Sequence, residues 1–388
     1  MDQNFDVIVL GAGAAGLFCA GTAVARGKRV LVLEHNAAAG RKILISGGGR
    51  CNFTNRQVRA ENFLSGNPHF AKSALAQFSS RDFIALVETA GIAYHEKTLG
   101  QLFCDQSAQQ ILDLLVARCA GAELRLGTAV QSVSYGDKFT VRTNGGTATA
   151  AALVVAAGGL SIPKLGATGL AYELAQQFGL DVIPPRAGLV PLTFSGEDLA
   201  WMQSLAGVSL PARVGAGKRK FAENILFTHR GLSGPAVLQI SSYLHEGDAF
   251  TVDFHPAARL EADLLEAKIR RPKAELKTIL AEIMPARLAT HFAGVEAKRM
   301  ADLPDRFLRT LGARLNAFAL TPAGNEGFMK AEVTAGGVDT DGLDSRSCMA
   351  RNVRGLFFIG EAVDVTGWLG GYNFQWAWAS GHAAGMAV

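Results

Sequence analysis

The sequence predicts an α/β chain, and three observations carry that reading. Residues 5–10 form an apolar strand that runs into closely spaced glycines and an Ala-rich helix. Residues 29–33 form a second apolar strand that ends in an acid, and residues 355–388 repeat the pattern of strand, glycine turn and helix at the C-terminus. At 388 residues the chain exceeds the roughly 250 to 300 at which single cores stop growing, so more than one domain is expected. Hydrophobic residues make up 49% and charged residues 19%, which supplies sizeable cores and excludes a disordered chain.

The first element starts at Phe5 and passes into Gly11, Gly13, Ala14, Ala15 and Gly16. A strand, a tight glycine turn and a helix start lay a pyrophosphate on backbone N–H groups at the positive end of a helix dipole. Gly11 permits the turn, Gly13 lets a pyrophosphate approach the backbone, and Gly16 lets helix and strand pack closely. Glu34 closes the second strand about 20 residues beyond the glycines, where an acid takes both ribose hydroxyls of an adenosine. A carboxylate there repels a 2′-phosphate, so the dinucleotide is expected to be FAD or NAD rather than NADP.

The second element is Arg41, Lys42 and the run Ser46, Gly47, Gly48, Gly49, Arg50, Cys51, Asn52. Three consecutive glycines let a backbone approach a flat ligand closely, while the flanking side chains supply hydrogen bonds and one fixed charge. Cys51 reads as packing beside that ligand, since no resolving cysteine lies near it in sequence. Residues 123–133 and 138–143 follow as strands with a turn at 135–137, and the backbone at Val130 is expected to face the adenine edge. The apolar run 153–163 then forms a buried strand that ends in Ala157, Gly158 and Gly159 beneath the cofactor.

The last element is the strand 355–359, which runs into Gly360 and Glu361, followed by Asp364 and then by Gly371, Tyr372, Asn373 and Phe374 at the start of an apolar helix. This pattern resembles flavoproteins of the glutathione-reductase type, and the resemblance implies Asp364 on the ribityl chain and the helix start at the flavin N1/O2 edge, where a positive helix end stabilises the reduced anion. Glycine at 370 and 371 is expected to let the backbone come close to the ring.

Together these motifs, with FTHRGLSGP at 227–235 and VTAGGV at 333–338, resemble the bacterial flavoproteins that include aminoacetone oxidase and the bile-acid-inducible flavin reductases. One departure is residues 166–170, where relatives follow the Thr-Gly with an acid and a glycine. The resemblance implies non-covalent FAD and a Rossmann-like FAD-binding domain, made of residues 1–187 and 336–388. It also implies an inserted β-barrel domain of 188–256 and 316–335 and a helical subdomain of 257–315. The alternating runs at 189–194 and 249–254 and the Leu-, Ala- and Lys-rich stretch after 259 agree with it.

A small-molecule substrate is expected between flavin and insertion, with His229, Arg50 and Asn52 as candidate catalytic residues and Ser233 as a helix cap. Hydride transfer at flavin N5 is the shared chemistry of the resembling enzymes, with an amine, an amino ketone or an enone as partner. A second GxGxxG unit is absent from the rest of the sequence. Either NAD(P)H visits the flavin as a transient electron donor, or the substrate reduces the flavin and oxygen reoxidises it. The contrasting reading is a flavin-holding interaction protein or redox sensor, in which nothing turns over.

A net charge of +4 and basic clusters at 218–220 and 270–273 without interleaved aromatics read as solvated faces, so no nucleic-acid partner is expected. Five scattered cysteines without a CxxC pair and eight dispersed histidines point to a reducing compartment and to no metal. The polar residues 2–4 before the first strand leave no room for a signal peptide, and no apolar run is long enough to span a membrane, so a cytoplasmic location is expected. The sequence carries no signal of oligomeric state.

Overall fold

The computed structural model describes residues 3–294 and 298–388, and the chain divides into two compact units, Met1–Ala187 with Val333–Val388 and Gly188–Glu332. The first unit is built on strand β1 (Gln3–Leu10), helix α1 (Ala14–Ala25) and strand β2 (Val30–Leu33). β1 starts two residues before Phe5 because Gln3 and Asn4 already pair with Ala148 and Thr149. Val7 to Leu10 and all of β2 are buried, the unbroken apolar pattern of parallel strands covered on both faces.

Across this sheet the order is Glu123–Arg125, β2, β1, Gly146–Val155, Phe139–Thr143 and Val130–Tyr135. The ten-residue strand Gly146–Val155 has two partners on one side. Its first half pairs antiparallel with Phe139–Thr143, and its second half pairs parallel with Leu356–Phe358. The expected strand 123–133 is two strands. Glu123–Arg125 runs parallel to β2, whereas Val130–Tyr135 closes a hairpin at the opposite edge, and Gly127 at φ +63° turns the chain between them.

The C-terminal helix Tyr372–Ala387 packs on α1 at a distance only glycine permits. A Cβ on Gly381 would lie 2.7 Å from the Ala15 carbonyl oxygen, and one on Gly385 2.6 Å from Thr22 Cβ. Return to this unit occurs at Val333 rather than Gly336, because Val333–Val338 is a strand that pairs with Val182–Gly188.

The second unit holds a seven-stranded antiparallel sheet ordered Phe318–Leu320, Phe250–Asp253, Ser209–Ala216, Arg219–Thr228, Gly231–Ser233, Leu192–Thr193 and Gly324–Asn325. Its two outermost strands are joined by the chain between Leu320 and Gly324, which spans at most roughly 14 Å, so the sheet curls back on itself. Phe194, which directly follows strand Leu192–Thr193, and Phe250, from the strand next to the other end of the order, meet at 6.5 Å. Helices Leu260–Arg270, Leu276–Ala281, Ala286–Ala293 and Asp305–Asn316 belong to the same compact unit, and Phe292 packs on Phe254 and Phe318.

Helix Pro235–Ser241 is capped by Gly234 and not by Ser233, which ends a strand. Gly234 sits at φ +90°, and a Cβ there would meet Asn224 O at 2.8 Å. Among the described residues no helix is long and apolar enough to cross a membrane.

Gly371 departs from its expected role. Its φ is +91°, and a Cβ would lie 2.3 Å from Thr54 O, so the glycine admits the backbone of strand Asn52–Asn55 rather than a ligand ring. Gly371→Val therefore acts on packing. Overpacking and a left-handed β-branched residue together cost about 2–4 kcal/mol, and the melting temperature of the apoprotein is expected to drop by roughly 5–15 °C. An unchanged melting curve overturns this assignment.

Candidate functional site

The glycines of the first turn divide into two kinds. A Cβ on Gly11 would lie 2.4 Å from Ala156 O and one on Gly16 1.9 Å from Gly11 O, so both serve packing of the turn on the sheet. Gly13 has open space where a Cβ would be, and so have Gly48 and Gly158. At these three positions the backbone is open to an approaching ligand, with nothing of the chain where a side chain would stand. Gly13 is also the N-cap of α1 and supplies no side-chain acceptor, which leaves the N–H groups of Ala14, Ala15 and Gly16 at the positive end of the helix for a ligand.

Glu34 is 7% exposed, and its carboxylate is already engaged on one edge. Oε2 accepts from Ala12 N at 2.9 Å, and Oε1 accepts from Asn36 N at 2.9 Å and Asn36 Nδ2 at 2.8 Å. Both lone pairs of Oε1 are thus taken by Asn36, and Oε2 keeps one for a further donor. Arg41 Nη1 donates to Asn36 Oδ1 at 2.7 Å, which ties the start of helix α2 (Arg41–Ile45) to the same corner. Val130 lies two residues beyond Thr128, whose N–H donates to Glu34 O at 2.8 Å, so its backbone lies close to Glu34.

Lys42 projects from α2 into a polar knot. Its Nζ lies 2.6 Å from Ser161 Oγ and 2.6 Å from Glu361 Oε2. Glu361 Oε1 accepts from Ser161 Oγ at 2.6 Å and from Thr334 N at 2.9 Å, while Thr334 Oγ1 accepts from Leu160 N and Ser161 N. Burial alone would raise the Glu361 carboxyl. The Lys42 charge and the donors around it outweigh burial and hold it below the usual carboxylate range. Ser161 and Thr334 were not among the expected site residues. The strand VTAGGV that carries Thr334 was visible as a motif, but its 173-residue separation from Ser161 is closed only by the fold.

Residues Ser46–Gly49 form a tight turn with Gly47, Gly48 and Gly49 at φ +58°, +68° and +84°. Gly47 and Gly48 are exposed, as is Arg50, whose side chain has no hydrogen bond or ion pair among the described residues. Asn52 is used internally. With its amide oriented to suit its neighbours, Nδ2 donates to Leu102 O and Thr54 O, and Oδ1 accepts from Gly371 N at 3.2 Å. Its side chain therefore holds the start of the C-terminal helix, a positioning role rather than a catalytic one.

Ala157 and Gly158 follow the strand Gly146–Val155, and Gly159 abuts Thr334, whose Oγ1 a Cβ would meet at 2.4 Å. Gly360 is buried, with its N–H on Ser380 Oγ and its carbonyl receiving Trp376 Nε1. Asp364 accepts from Gly66 N at 2.7 Å, and burial pushes its carboxyl up against that bond. Asn373 is bonded on both sides to Gly367, Tyr372 is buried, and Phe374 stacks on Trp378 at 5.4 Å. His229 stands apart in the second unit. With Arg230 it forms the exposed two-residue tip between Arg219–Thr228 and Gly231–Ser233.

Open backbone at Gly13, uncapped N–H groups at the start of α1 and an acid at the end of β2 fit a bound dinucleotide. The chain belongs to the family described as HI0933-like protein Rossmann domain, which it matches over residues 5–387, and it is a flavoprotein of the FAD-binding oxidoreductase class. It is 51% identical to "Ribosomal RNA dihydrouridine synthase" of Escherichia coli K12, covering 98% of this chain and 97% of that one. It is 31% identical to "3-dehydro-bile acid delta(4,6)-reductase" of Clostridium scindens, covering 98% of both. A 3-ketosteroid-Δ4-(5α)-dehydrogenase of Rhodococcus jostii shares the fold at a TM-score of 0.51 with 16% identity, over 99% of this chain and 97% of that one.

Two outcomes follow from this geometry. Gly13→Ala is expected to leave apoprotein melting unchanged while weakening FAD binding about tenfold or more, whereas Gly16→Ala lowers the melting temperature itself; FAD titration and thermal scans of both apoproteins separate them. The five cysteines are all buried. Burial raises every thiol, with Cys51 and Cys348 pushed up to about 12 and Cys104 and Cys119 to about 11. The thiolate fraction at pH 8 is then about one in a thousand or less. A thiol-reactive chromophore is expected to label none in the native protein and five after denaturation.

Proposed function

We propose that this protein is an FAD-dependent reductase that converts uridine in ribosomal RNA to dihydrouridine. One observation carries the reading, the 51% identity over nearly both full lengths to the E. coli protein of that name. The more distant bile-acid relative agrees with it chemically. A steroid enone and a uracil ring both present a C=C conjugated to a carbonyl, and both are reduced by hydride addition at the carbon β to that carbonyl, followed by protonation of the α carbon.

In this reading the Gly11–Gly16 turn and the N–H groups of Ala14 and Ala15 hold the pyrophosphate of FAD, and Glu34 with Arg41 and the Val130 backbone frames the adenosine. Lys42, Ala157 to Gly159, Glu361 and Asp364 flank the middle of the dinucleotide. Gly47 to Arg50 border the ring. The flavin supplies a hydride at N5 when reduced, with NAD(P)H as the donor that restores it. Oxygen-dependent oxidation of an amine is the alternative that an unreactive RNA would leave standing.

This reading replaces the expectation of a small-molecule substrate without nucleic acid, and the charge distribution supports the change. Arg270 and Arg271 are neutralised by Glu266 and Glu282, as solvated faces would be. Lys218, Arg219 and Lys220 instead crown an exposed hairpin tip without an acidic partner among the described residues, and the Arg219 guanidinium lies 5.4 Å from the Tyr243 ring. Cations beside an aromatic ring suit a phosphate backbone with an unstacked base.

The test is incubation of the holoprotein with NADH or NADPH and ribosomal RNA from cells that lack the gene. A gain of two hydrogens on a uridine, read by mass spectrometry of the digested RNA, is expected. Lys218→Glu combined with Lys220→Glu is expected to lower the yield at limiting RNA and to reduce its salt dependence. Nicotinamide oxidation or peroxide formation without any dihydrouridine overturns the reading.

A further inference from the structure

We infer that His95 is the acid that hands the substrate its proton, an inference that rests on the reading just proposed. Strands Tyr94–Glu96 and Gln101–Cys104 form a three-stranded antiparallel sheet with Asn52–Asn55, in which His95 stands opposite Phe103 and Phe103 opposite Asn52. Side chains alternate along a strand, so Gln101 and Phe103 share one face. Both glycine loops meet that face. A Cβ on Gly47 would lie 2.8 Å from the Phe103 ring, and one on Gly370 2.9 Å from Gln101 Nε2. The His95 ring stacks on Phe103 at 6.1 Å and 16°, one aromatic ring away from the exposed Gly47–Gly48 turn.

The imidazole is oriented. Its Nδ1 lies 2.6 Å from Asp105 Oδ1, which leaves Nε2 without a partner among the described residues. A carboxylate on Nδ1 fixes the orientation of the ring, so that Nε2 is free to give and regain a proton. Of the charged groups near the ring, Asp105 is its hydrogen-bond partner, Lys97 Nζ lies 4.1 Å from the centre of the Phe103 ring, Glu96 is paired with Arg56, and Arg50 belongs to the neighbouring turn. Other proton donors near the turn are unsuited, since Cys51 and Cys104 are buried thiols and the Tyr94 hydroxyl donates to Glu88 at 2.7 Å.

The balance is simple. Reduction of the uracil C5=C6 bond places a hydride on C6 and a proton on C5. The hydride equivalent comes from NAD(P)H by way of the flavin, the proton leaves His95 Nε2 as the C5–H bond forms, and solvent reprotonates the imidazole. The sum is uridine, NAD(P)H and a proton giving dihydrouridine and NAD(P)⁺.

The experiment uses holoprotein reduced anaerobically and mixed with ribosomal RNA from cells lacking the gene, with the return of oxidised-flavin absorbance at about 450 nm as the readout. His95→Gln is expected to slow that return about 100-fold or more, while flavin reduction by nicotinamide and RNA affinity change by less than about twofold. Asp105→Asn, which removes the carboxylate holding Nδ1, is expected to slow the same return while flavin reduction by nicotinamide stays unchanged. A wild-type rate in His95→Gln, or a loss confined to RNA affinity, overturns the inference with the proposed function intact. If RNA never reoxidises the wild-type flavin, the proposed function has failed and the inference falls with it.

Discussion

The Glu361 carboxylate is the constraint on which the rest of the first unit turns. It gathers Lys42 from α2, Ser161 from the loop after the central strand, and Thr334 from the returning strand, segments separated by up to 319 residues. A carboxylate withdrawn from water is unfavourable unless every oxygen is paired, and here each is. Removing any one partner would leave the others holding a desolvated charge, so the knot fixes three glycine-bearing segments in a single arrangement.

Glycine works in this frame in two opposite ways. Gly11, Gly16, Gly336, Gly337 and Gly381 are places where backbone meets backbone, at distances a Cβ would violate. Gly13, Gly48 and Gly158 face open space and serve whatever occupies it. The same residue type in one motif thus serves both stability and binding, which explains how a six-residue turn can specify a fold and a ligand together.

Much of this was legible in the chain. The βαβ unit, its acid at Glu34, the triple-glycine turn and the C-terminal strand and helix are local patterns, and local periodicity with turn chemistry reveals them. The insertion was legible for a related reason, since flavin motifs at both ends of a sequence require the intervening chain to leave and return. The errors arose where two segments distant in sequence share one place. Asn52 and Gly371 both read as ligand contacts, yet they are partners of each other and of Thr54. His95 and Asp105 drew no attention, because a histidine and an aspartate ten residues apart carry no signal until a hairpin sets them side by side.

The sequence by itself determined the architecture and the cofactor class, because strand, turn and helix preferences and the spacing of glycines to an acid act over a few tens of residues. Tertiary structure alone decided which glycines stand open, which polar groups are consumed in holding the fold, and which histidine keeps a free nitrogen. Those outcomes depend on hydrogen-bond saturation and contact across hundreds of residues, where only the folded chain determines whether a polar atom already has a partner.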